Sequence, residues 1–316
     1  MIINSHVHVN TNDTYFFYND YNLSRLLQEM KQNKIDLAFS TLNPKASIFR
    51  CPSDCSMQCP MLGLKKNNNL NNCNCDYPKR HRVCVVGTDS ELHLKCKTCG
   101  TILLRTQIDP LREYNIGLLN ITKPYRTRLK PLLYITLCQA TIQNEINFFE
   151  KHFSNEFVGF KFHPWNDQVS VSNFKLQCSK PVLIHTGIRE LESAENAITF
   201  AENNPSVKVI VAHAAALDGN VLKKIAKMEN VFVDCCPSKF MYDNKYNSIF
   251  CPEEIHSPED IYYKVLEFLP SYKILFGTDS PWGNSNDELS VVNNLRISRN
   301  VKEQLLFKNA LKVYLS

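Results

Sequence analysis

Two histidines stand two residues apart in the first apolar run of the chain, MIINSHVHVN. Successive side chains of a β-strand alternate between its two faces, so His6 and His8 would point the same way if this run is a strand. Two imidazoles on one face can share a metal ion, because a neutral ring nitrogen is a good ligand for Zn²⁺. The same spacing also occurs by chance, so a metal site here requires further ligands from elsewhere in the chain.

Further candidate ligands stand at the ends of later apolar runs. GFKFH ends in Lys161 and His163, VLIH in His185, IVAH in His213, and ILFGTD in Asp279. Five of the nine histidines therefore lie at or beside the end of an apolar run, which random placement would not produce. We interpret them as one set rather than as separate core histidines.

The residue types of this set indicate metal chemistry. Imidazole nitrogens with one carboxylate suit Zn²⁺, and also Fe²⁺ or Mn²⁺. A divalent ion with an open position lowers the pKa of a bound water to about 7. We expect Asp279 to bind the metal and to accept the proton of that water, and His213 to bind a second metal or to polarise a substrate carbonyl. The alternative for Lys161 is a solvated or ion-paired lysine at the rim of the fold.

Eight short apolar runs alternate with amphipathic helical patterns, which predicts an α/β fold. Several runs are apolar throughout, as expected of parallel strands that are buried on both faces. Eight such strands favour a closed (β/α)8 barrel, whose active site lies at the carboxyl ends of the strands. An open doubly wound sheet is the alternative, but no Gly-rich phosphate loop follows the first run. The eight runs are MIINSHV, IDLAFST (35–41), LKPLLYITL (129–137), FVGFKF (157–162), PVLIH (181–185), VKVIVAH (207–213), VFVDC (231–235) and YKILFGTD (272–279).

A cysteine-rich segment interrupts this alternation after the second run. Eight of the thirteen cysteines lie between Cys51 and Cys99. We therefore divide the chain into a barrel formed by residues 1–45 and 105–316 and an insert formed by residues 46–104. The insert emerges at the catalytic face of the predicted barrel, so a lid or specificity element is the natural hypothesis.

Two pairs of cysteines in the insert resemble the knuckles of a zinc ribbon, with the short strands HRVCVVG and LHLKC between them. We predict one structural Zn²⁺ on Cys73, Cys75, Cys96 and Cys99, and a second on Cys51, Cys55 and Cys59 with Cys84. An iron–sulfur cluster is one alternative. Reduced cysteines in a disordered loop are another, favoured by the polar spacer KKNNNLNN.

Composition limits the class of protein. Apolar residues make up 44% and charged residues 21% of 316 residues, and the net charge is +5. No apolar stretch is long enough to span a bilayer, and no basic block favours nucleic-acid binding. The N-terminus lacks the pattern of an export signal, so we expect a cytoplasmic protein whose partner is a small-molecule substrate.

The strand-end motifs SHVHV, GFKFHP, PVLIHTG, VIVAHAA and ILFGTDSPWG resemble, in order and spacing, the amidohydrolase-related family of metal-dependent TIM-barrel enzymes. The resemblance spans the chain apart from the insert. It implies a divalent metal on His6, His8, His185 and Asp279, with His213 as a further ligand or an acid–base group. Some members place a bridging carboxylated lysine on the fourth strand. The resemblance makes Lys161 a candidate for that role, or Lys161 and His163 candidates for substrate contact.

The expected function is therefore that of a metal-dependent hydrolase, in which metal-activated water cleaves a C–N or C–O bond of a small carbonyl compound. The first alternative is a metal-dependent decarboxylase on the same scaffold, which the family also contains. The second is a non-catalytic barrel whose zinc ribbon binds a protein or nucleic acid. Intact ligand types at every expected strand end argue against this last hypothesis.

Overall fold

The computed structural model describes residues 1–9, 21–42, 48–50, 82–87, 91–96, 102–109, 111–243, 252 and 254–316. Its strands form an eight-stranded parallel sheet and a separate four-stranded antiparallel sheet. The strands of the parallel sheet are β1 (Ile3–Val9), β2 (Leu37–Leu42), β7 (Leu129–Tyr134), β8 (Gly159–Phe162), β9 (Val182–Ile184), β10 (Val209–Val211), β11 (Val231–Asp234) and β12 (Ile274–Leu275). They pair in that order. Each of the eight predicted runs overlaps one of these strands, so the strand predictions are confirmed.

Backbone hydrogen bonds join the last strand and the residues after it to the first strand. The amide of Ser5 donates to the Phe276 carbonyl at 3.0 Å, and the amide of His8 donates to the Ser280 carbonyl at 2.8 Å. The amide of Asp279 donates to the His6 carbonyl at 2.8 Å. The sheet thus curls into a nearly closed parallel barrel surrounded by helices, consistent with the predicted TIM barrel.

Helices occupy most of the connections between barrel strands. They are α1 (Leu23–Gln32), α2 (Arg112–Thr122), α3 (Ile142–Phe153), α4 (Pro164–Asp167), α5 (Ala194–Asn203), α6 (Gly219–Lys227), α7 (Ser238–Asp243), α8 (Pro258–Phe268), α9 (Ser285–Asn294), α10 (Arg299–Glu303) and α11 (Asn309–Tyr314). A π-helical turn, Gln304–Lys308, joins α10 to α11. Helix α8 shows how the sequence starts these elements. Ser257 and Asp260 form a reciprocal capping box, and Pro258 occupies the first turn, where its missing N–H costs nothing.

Two apolar clusters stabilise the barrel. The larger one joins the outward side chains of the strands to the surrounding helices. The smaller one contains residues from the first halves of the strands, such as Ile3 and Leu37, together with Ala310, Val313 and Tyr314 of α11. The C-terminal helix therefore covers the amino-terminal end of the barrel and leaves the opposite end for the site.

The antiparallel sheet consists of β3 (Ile48–Arg50), β4 (Arg82–Gly87), β5 (Leu92–Cys96) and β6 (Ile102–Thr106). It lies in the predicted insert except for the end of β6, which extends past the predicted boundary at residue 104. The predicted strands HRVCVVG and LHLKC correspond to β4 and β5, and they pair antiparallel. Leu92 is fully buried in the larger apolar cluster, which ties this sheet to the barrel.

The predicted zinc sites of the insert fall largely outside the described residues. Cys84 and Cys96 lie in adjacent strands, where Cys84 pairs with Lys95 and Cys96 pairs with Val83. The other six candidate ligands, Cys51, Cys55, Cys59, Cys73, Cys75 and Cys99, are not among the described residues. The zinc ribbon therefore stays a prediction. Within the described part of the chain, no helix is long and apolar enough to cross a membrane.

Candidate active site

Three predicted ligands converge where β1 and β12 meet. The Nε2 atoms of His6 and His8 lie 3.2 Å apart. The Oδ1 atom of Asp279 lies 3.2 Å from the first and 3.0 Å from the second. Because the two histidines alternate with buried Val7 along one strand, their rings share the inner face, as predicted from the sequence.

Hydrogen bonds on the far side of each ring determine which nitrogen carries the proton. The Nδ1 of His8 lies 2.8 Å from the Leu42 carbonyl, which can only accept a hydrogen bond. The Nδ1 of His6 lies 3.0 Å from Oδ2 of Asp234, and a carboxylate also accepts. A neutral ring at either position therefore carries its proton on Nδ1 and points the Nε2 lone pair at Oδ1 of Asp279. Three acceptors facing one another repel, and a cation at their centre removes that cost.

The spacing of these atoms fits a metal ion. Ligand atoms that each lie about 2.1 Å from one ion are about 3.0–3.4 Å apart in octahedral or tetrahedral geometry. In the described part of the chain, two sets of three potential ligands have atoms within 4.8 Å of one another. One set is His6, His8 and Asp279, and the other is His6, Asp234 and Cys236. The first set has the composition of a catalytic divalent-metal site with open positions.

Lys161 reaches this centre from β8. Its Nζ lies 3.1 Å from Nε2 of His6, and the side chain is fully buried, so the rim lysine of the alternative interpretation is wrong. Burial lowers the pKa of Lys161, although the carboxylates of Asp279 and Asp234 oppose this shift. A buried amine beside two carboxylates can bind an anionic or metal-linked group.

The remaining histidines form a second group beside the first. The Nδ1 of His185 lies 2.9 Å from Nε2 of His213, and the ring of His163 stacks on His185 with centroids 3.7 Å apart. The Nε2 of His185 lies 3.3 Å from Oε2 of buried Glu192. His185 and His213 thus face each other next to the His6–His8–Asp279 centre, and neither belongs to the two sets of convergent ligand atoms.

His213 is held in an unusual backbone conformation. Residues 213–217 all have positive φ values, with φ of 57° at His213. Left-handed backbone costs an L-residue roughly 1–2 kcal/mol. Two hydrogen bonds offset this cost at His213: its amide donates to Oδ1 of Asp234 at 3.1 Å, and its Nδ1 donates to the Cys236 carbonyl at 2.6 Å.

Burial favours the neutral form of four imidazoles of the site, those of His6, His163, His185 and His213, and metal binding requires this form. It lowers the pKa of His6 and His163 well below the usual value, and it also lowers the pKa of His213. It lowers the pKa of His185 to about 3. Burial alone would raise the pKa of Asp279, but the facing imidazoles hold it below the usual range. The site thus combines neutral nitrogen ligands with an ionised carboxylate.

Sequence reasoning missed four of the residues at this site. Asp234 ends β11 and Cys236 follows two residues later, so the strand-end rule that found the histidines also applies to them. Glu192 lies in a connection after β9, where no periodicity marks it. Trp282 is a fourth neighbour, because its ring meets that of His8 edge-on with centroids 5.2 Å apart.

Fold and site together define a parallel barrel with a candidate divalent-metal centre at the carboxyl ends of its strands. Solved structures of three enzymes share this fold. The first, 5-carboxyvanillate decarboxylase from Sphingomonas paucimobilis, has a TM-score of 0.59 and 11% identity over 99% of this chain and 98% of its own. A dihydroxybenzoic acid decarboxylase from Polaromonas sp. JS666, with bound manganese, has a TM-score of 0.56 and 12% identity over 99% and 96%. A probable 2-pyrone-4,6-dicarboxylic acid hydrolase from Acinetobacter baumannii has a TM-score of 0.57 and 12% identity over 100% and 99%.

Residues 180–315 match the family model described as amidohydrolase. This match covers β9 to the C-terminal helix, and it includes His185, His213 and Asp279. Over these residues it confirms the resemblance to the amidohydrolase-related family. The three solved structures named above comprise two decarboxylases and one probable hydrolase. No curated protein matches the chain.

Proposed function

We propose that this protein is a metal-dependent hydrolase that cleaves a C–N or C–O bond of a small carbonyl compound. The observation that carries the proposal is the convergence of the His6, His8 and Asp279 acceptor atoms within 3.0–3.2 Å. The side chains of His6 and His8 are buried, whereas the Asp279 side chain is 10% exposed. The carboxylate is thus the most exposed of the three ligands.

A divalent ion at this centre would acidify a coordinated water and polarise a substrate carbonyl. Asp279 would accept the proton that this water loses as its oxygen bonds to the carbonyl carbon, and would then return it to the departing nitrogen or oxygen. His213 donates from Nδ1 to the Cys236 carbonyl, so its Nε2 is an acceptor that could relay this proton only after it has received it. His185 is proposed as a further metal ligand or as the partner that aligns His213.

Decarboxylation is the second candidate, and one observation favours it. The buried Nζ of Lys161 is a donor that suits a substrate carboxylate, and several of the structural neighbours are decarboxylases. In that reaction the C–C bond to the carboxyl group breaks, CO2 leaves, and the ring or chain carbon receives a proton. Asp279, which is ionised, would first take this proton from a water molecule and then deliver it to that carbon.

Product analysis separates the two reactions. The protein loaded with Mn²⁺ is supplied with a panel of small lactones, amides and aromatic carboxylates in ¹⁸O-labelled water. Hydrolysis places ¹⁸O in the acid product, whereas decarboxylation releases CO2 from a carboxylate substrate without that label. CO2 as the only product would overturn the hydrolase assignment.

Asp279→Asn tests the proton-transfer role. Asparagine retains one oxygen ligand but cannot hold a proton, so we expect turnover to fall by about 10²–10⁴-fold. The Mn²⁺ dissociation constant should rise by no more than about 10-fold. Calorimetric titration of the metal-free protein and steady-state kinetics measure the two effects. Equal losses of metal affinity and turnover would leave Asp279 with the ligand role alone.

A further inference from the structure

Asp234 contacts three groups of the site through two oxygen atoms. Its Oδ2 lies 3.0 Å from Nδ1 of His6, while its Oδ1 accepts from the amide of His213 at 3.1 Å and from the thiol of Cys236 at 3.3 Å. The residue is fully buried. The amide of His213 and the thiol of Cys236 both donate to Oδ1, so Oδ2 is left to accept from Nδ1 of His6.

The position of Asp234 joins elements that are otherwise separate. It ends β11, whereas His6 lies on β1 and His213 follows β10. A single side chain thus contacts the histidine that faces the candidate metal centre and the histidine proposed to transfer a proton. We propose that Asp234 is a positioning residue that fixes the tautomer of His6 for metal binding and at the same time holds the left-handed backbone of His213. This inference rests on the metal-dependent function proposed above.

The isosteric change Asp234→Asn has a defined consequence. The amide N–H of His213 can only donate, so the asparagine must turn its oxygen toward His213. Its NH2 group then faces Nδ1 of His6 and can only donate to it. His6 must move its proton to Nε2, which removes the lone pair that faces His8 and Asp279. The variant therefore keeps the shape of the site and loses one metal ligand.

Asp167→Asn is a matched control. Asp167 is also a fully buried aspartate near the carboxyl end of the barrel, where it accepts from the amide of Leu137 at 2.9 Å and from the hydroxyl of Tyr134 at 3.2 Å. It contacts none of the histidines of the site through these bonds. The control thus loses a buried carboxylate without any change to the tautomer of His6.

The experiment titrates Mn²⁺ into the metal-free full-length chain of both variants and records ¹⁵N spectra of the histidine rings, with His6→Gln to assign His6. We expect Asp234→Asn to weaken Mn²⁺ binding about 10–100-fold, and Asp167→Asn to bind as the wild type does. The His6 proton should be on Nδ1 in the wild type and on Nε2 in Asp234→Asn.

Unchanged Mn²⁺ affinity in Asp234→Asn would overturn the inference, and so would a wild-type His6 with its proton on Nε2. If Asp234→Asn fails to fold, the tautomer of His6 in the wild type tests the inference by itself. If the wild type binds no Mn²⁺ but His6 carries its proton on Nδ1, the proposed metal-dependent function fails while the action of Asp234 on His6 stands.

Discussion

A close approach of two strands lets His6 and Cys236 occupy the same layer of the site. Gly277 stands between them, and a Cβ atom at this position would lie 2.8 Å from Sγ of Cys236 and 3.0 Å from Cβ of His6. Real Cβ atoms essentially never approach so closely, so glycine is required where β12 passes β1. The metal-facing position of His6 thus depends on a residue that performs no chemistry.

Gly277→Ala tests this dependence. Relief of the clash must move His6 or Cys236, both of which are fully buried, so we expect a loss of about 1–3 kcal/mol in the free energy of unfolding. The same shift should weaken Mn²⁺ binding. Chemical denaturation and metal titration measure the two effects.

Gly117→Ala provides the control, because nothing lies within 4 Å of its added Cβ and it is inside helix α2. There alanine should stabilise the protein by about 0.5–1 kcal/mol. Gly277→Ala with wild-type stability and wild-type metal affinity would contradict the packing argument.

At the scale of elements, helix α7 begins beside the site and receives its cap from another helix. Glu288 of α9 accepts from the amide of Ser238 at 3.1 Å, from its hydroxyl at 2.6 Å and from the amide of Lys239 at 3.0 Å. A carboxylate is a suitable partner for the free N–H groups of a helix start. Burial nevertheless outweighs these bonds and raises the pKa of Glu288 to about 7. The start of α7 is therefore sensitive to pH.

This shift predicts the direction of a pH effect on stability. The pKa of Glu288 is about 7 in the folded protein and 4.5 in its ordinary state, so the folded chain binds this proton more tightly. The stabilisation is complete below pH 4.5 and is lost as the pH rises through 7. It amounts to about 3 kcal/mol at 1.36 kcal/mol for each pKa unit.

Glu288→Gln removes the titration and keeps the shape. We expect the free energy of unfolding of the wild type to fall, relative to the variant, between pH 4.5 and 7.5. Urea denaturation at several pH values measures the difference. Parallel pH profiles for the two proteins would show that Glu288 does not titrate in this range.

At the scale of the whole molecule, the chain combines a barrel with an insert of different chemistry. The barrel centre uses imidazole and carboxylate groups, whereas the insert is rich in thiols. The antiparallel pair β4–β5 follows the first predicted cysteine pair and ends at Cys96, the first cysteine of the second pair. An insert of about 60 residues has little core of its own, so a metal would supply much of its folding free energy.

The double variant Cys96→Ser and Cys99→Ser tests whether the two metal sites are independent. We expect the loss of one Zn²⁺ per chain and new protease cleavage between residues 46 and 104, because the remaining two thiols cannot hold the ion. The barrel metal should stay bound, since its ligands lie on strands that pair without the insert. Metal analysis and limited proteolysis measure both effects.

Cys178→Ser, a change in the barrel outside the insert, is the control and should keep the full zinc content. If the double variant also loses the barrel metal, or keeps its zinc and its resistance to protease, the independent ribbon is wrong.

The local pattern of the chain was enough to predict the strands of the barrel and the chemical types at their ends. Continuous apolar runs indicate buried parallel strands, and alternation along β1 puts His6 and His8 on one face. Both are properties of neighbouring residues, so they can be inferred without knowledge of the fold. The burial of Lys161, in contrast, could not be inferred from the local pattern, because it depends on how β8 packs in the barrel.

Tertiary structure alone decided which partners complete the site. The contact of His6 with Asp234 joins residues 228 positions apart, and that of His8 with Asp279 joins residues 271 apart. Such pairs exist only because the closure of the barrel brings β12 next to β1, and β11 pairs with β12. The tautomer of His6 follows from the same closure, since a ring nitrogen takes or gives a proton according to the group that the fold puts opposite it.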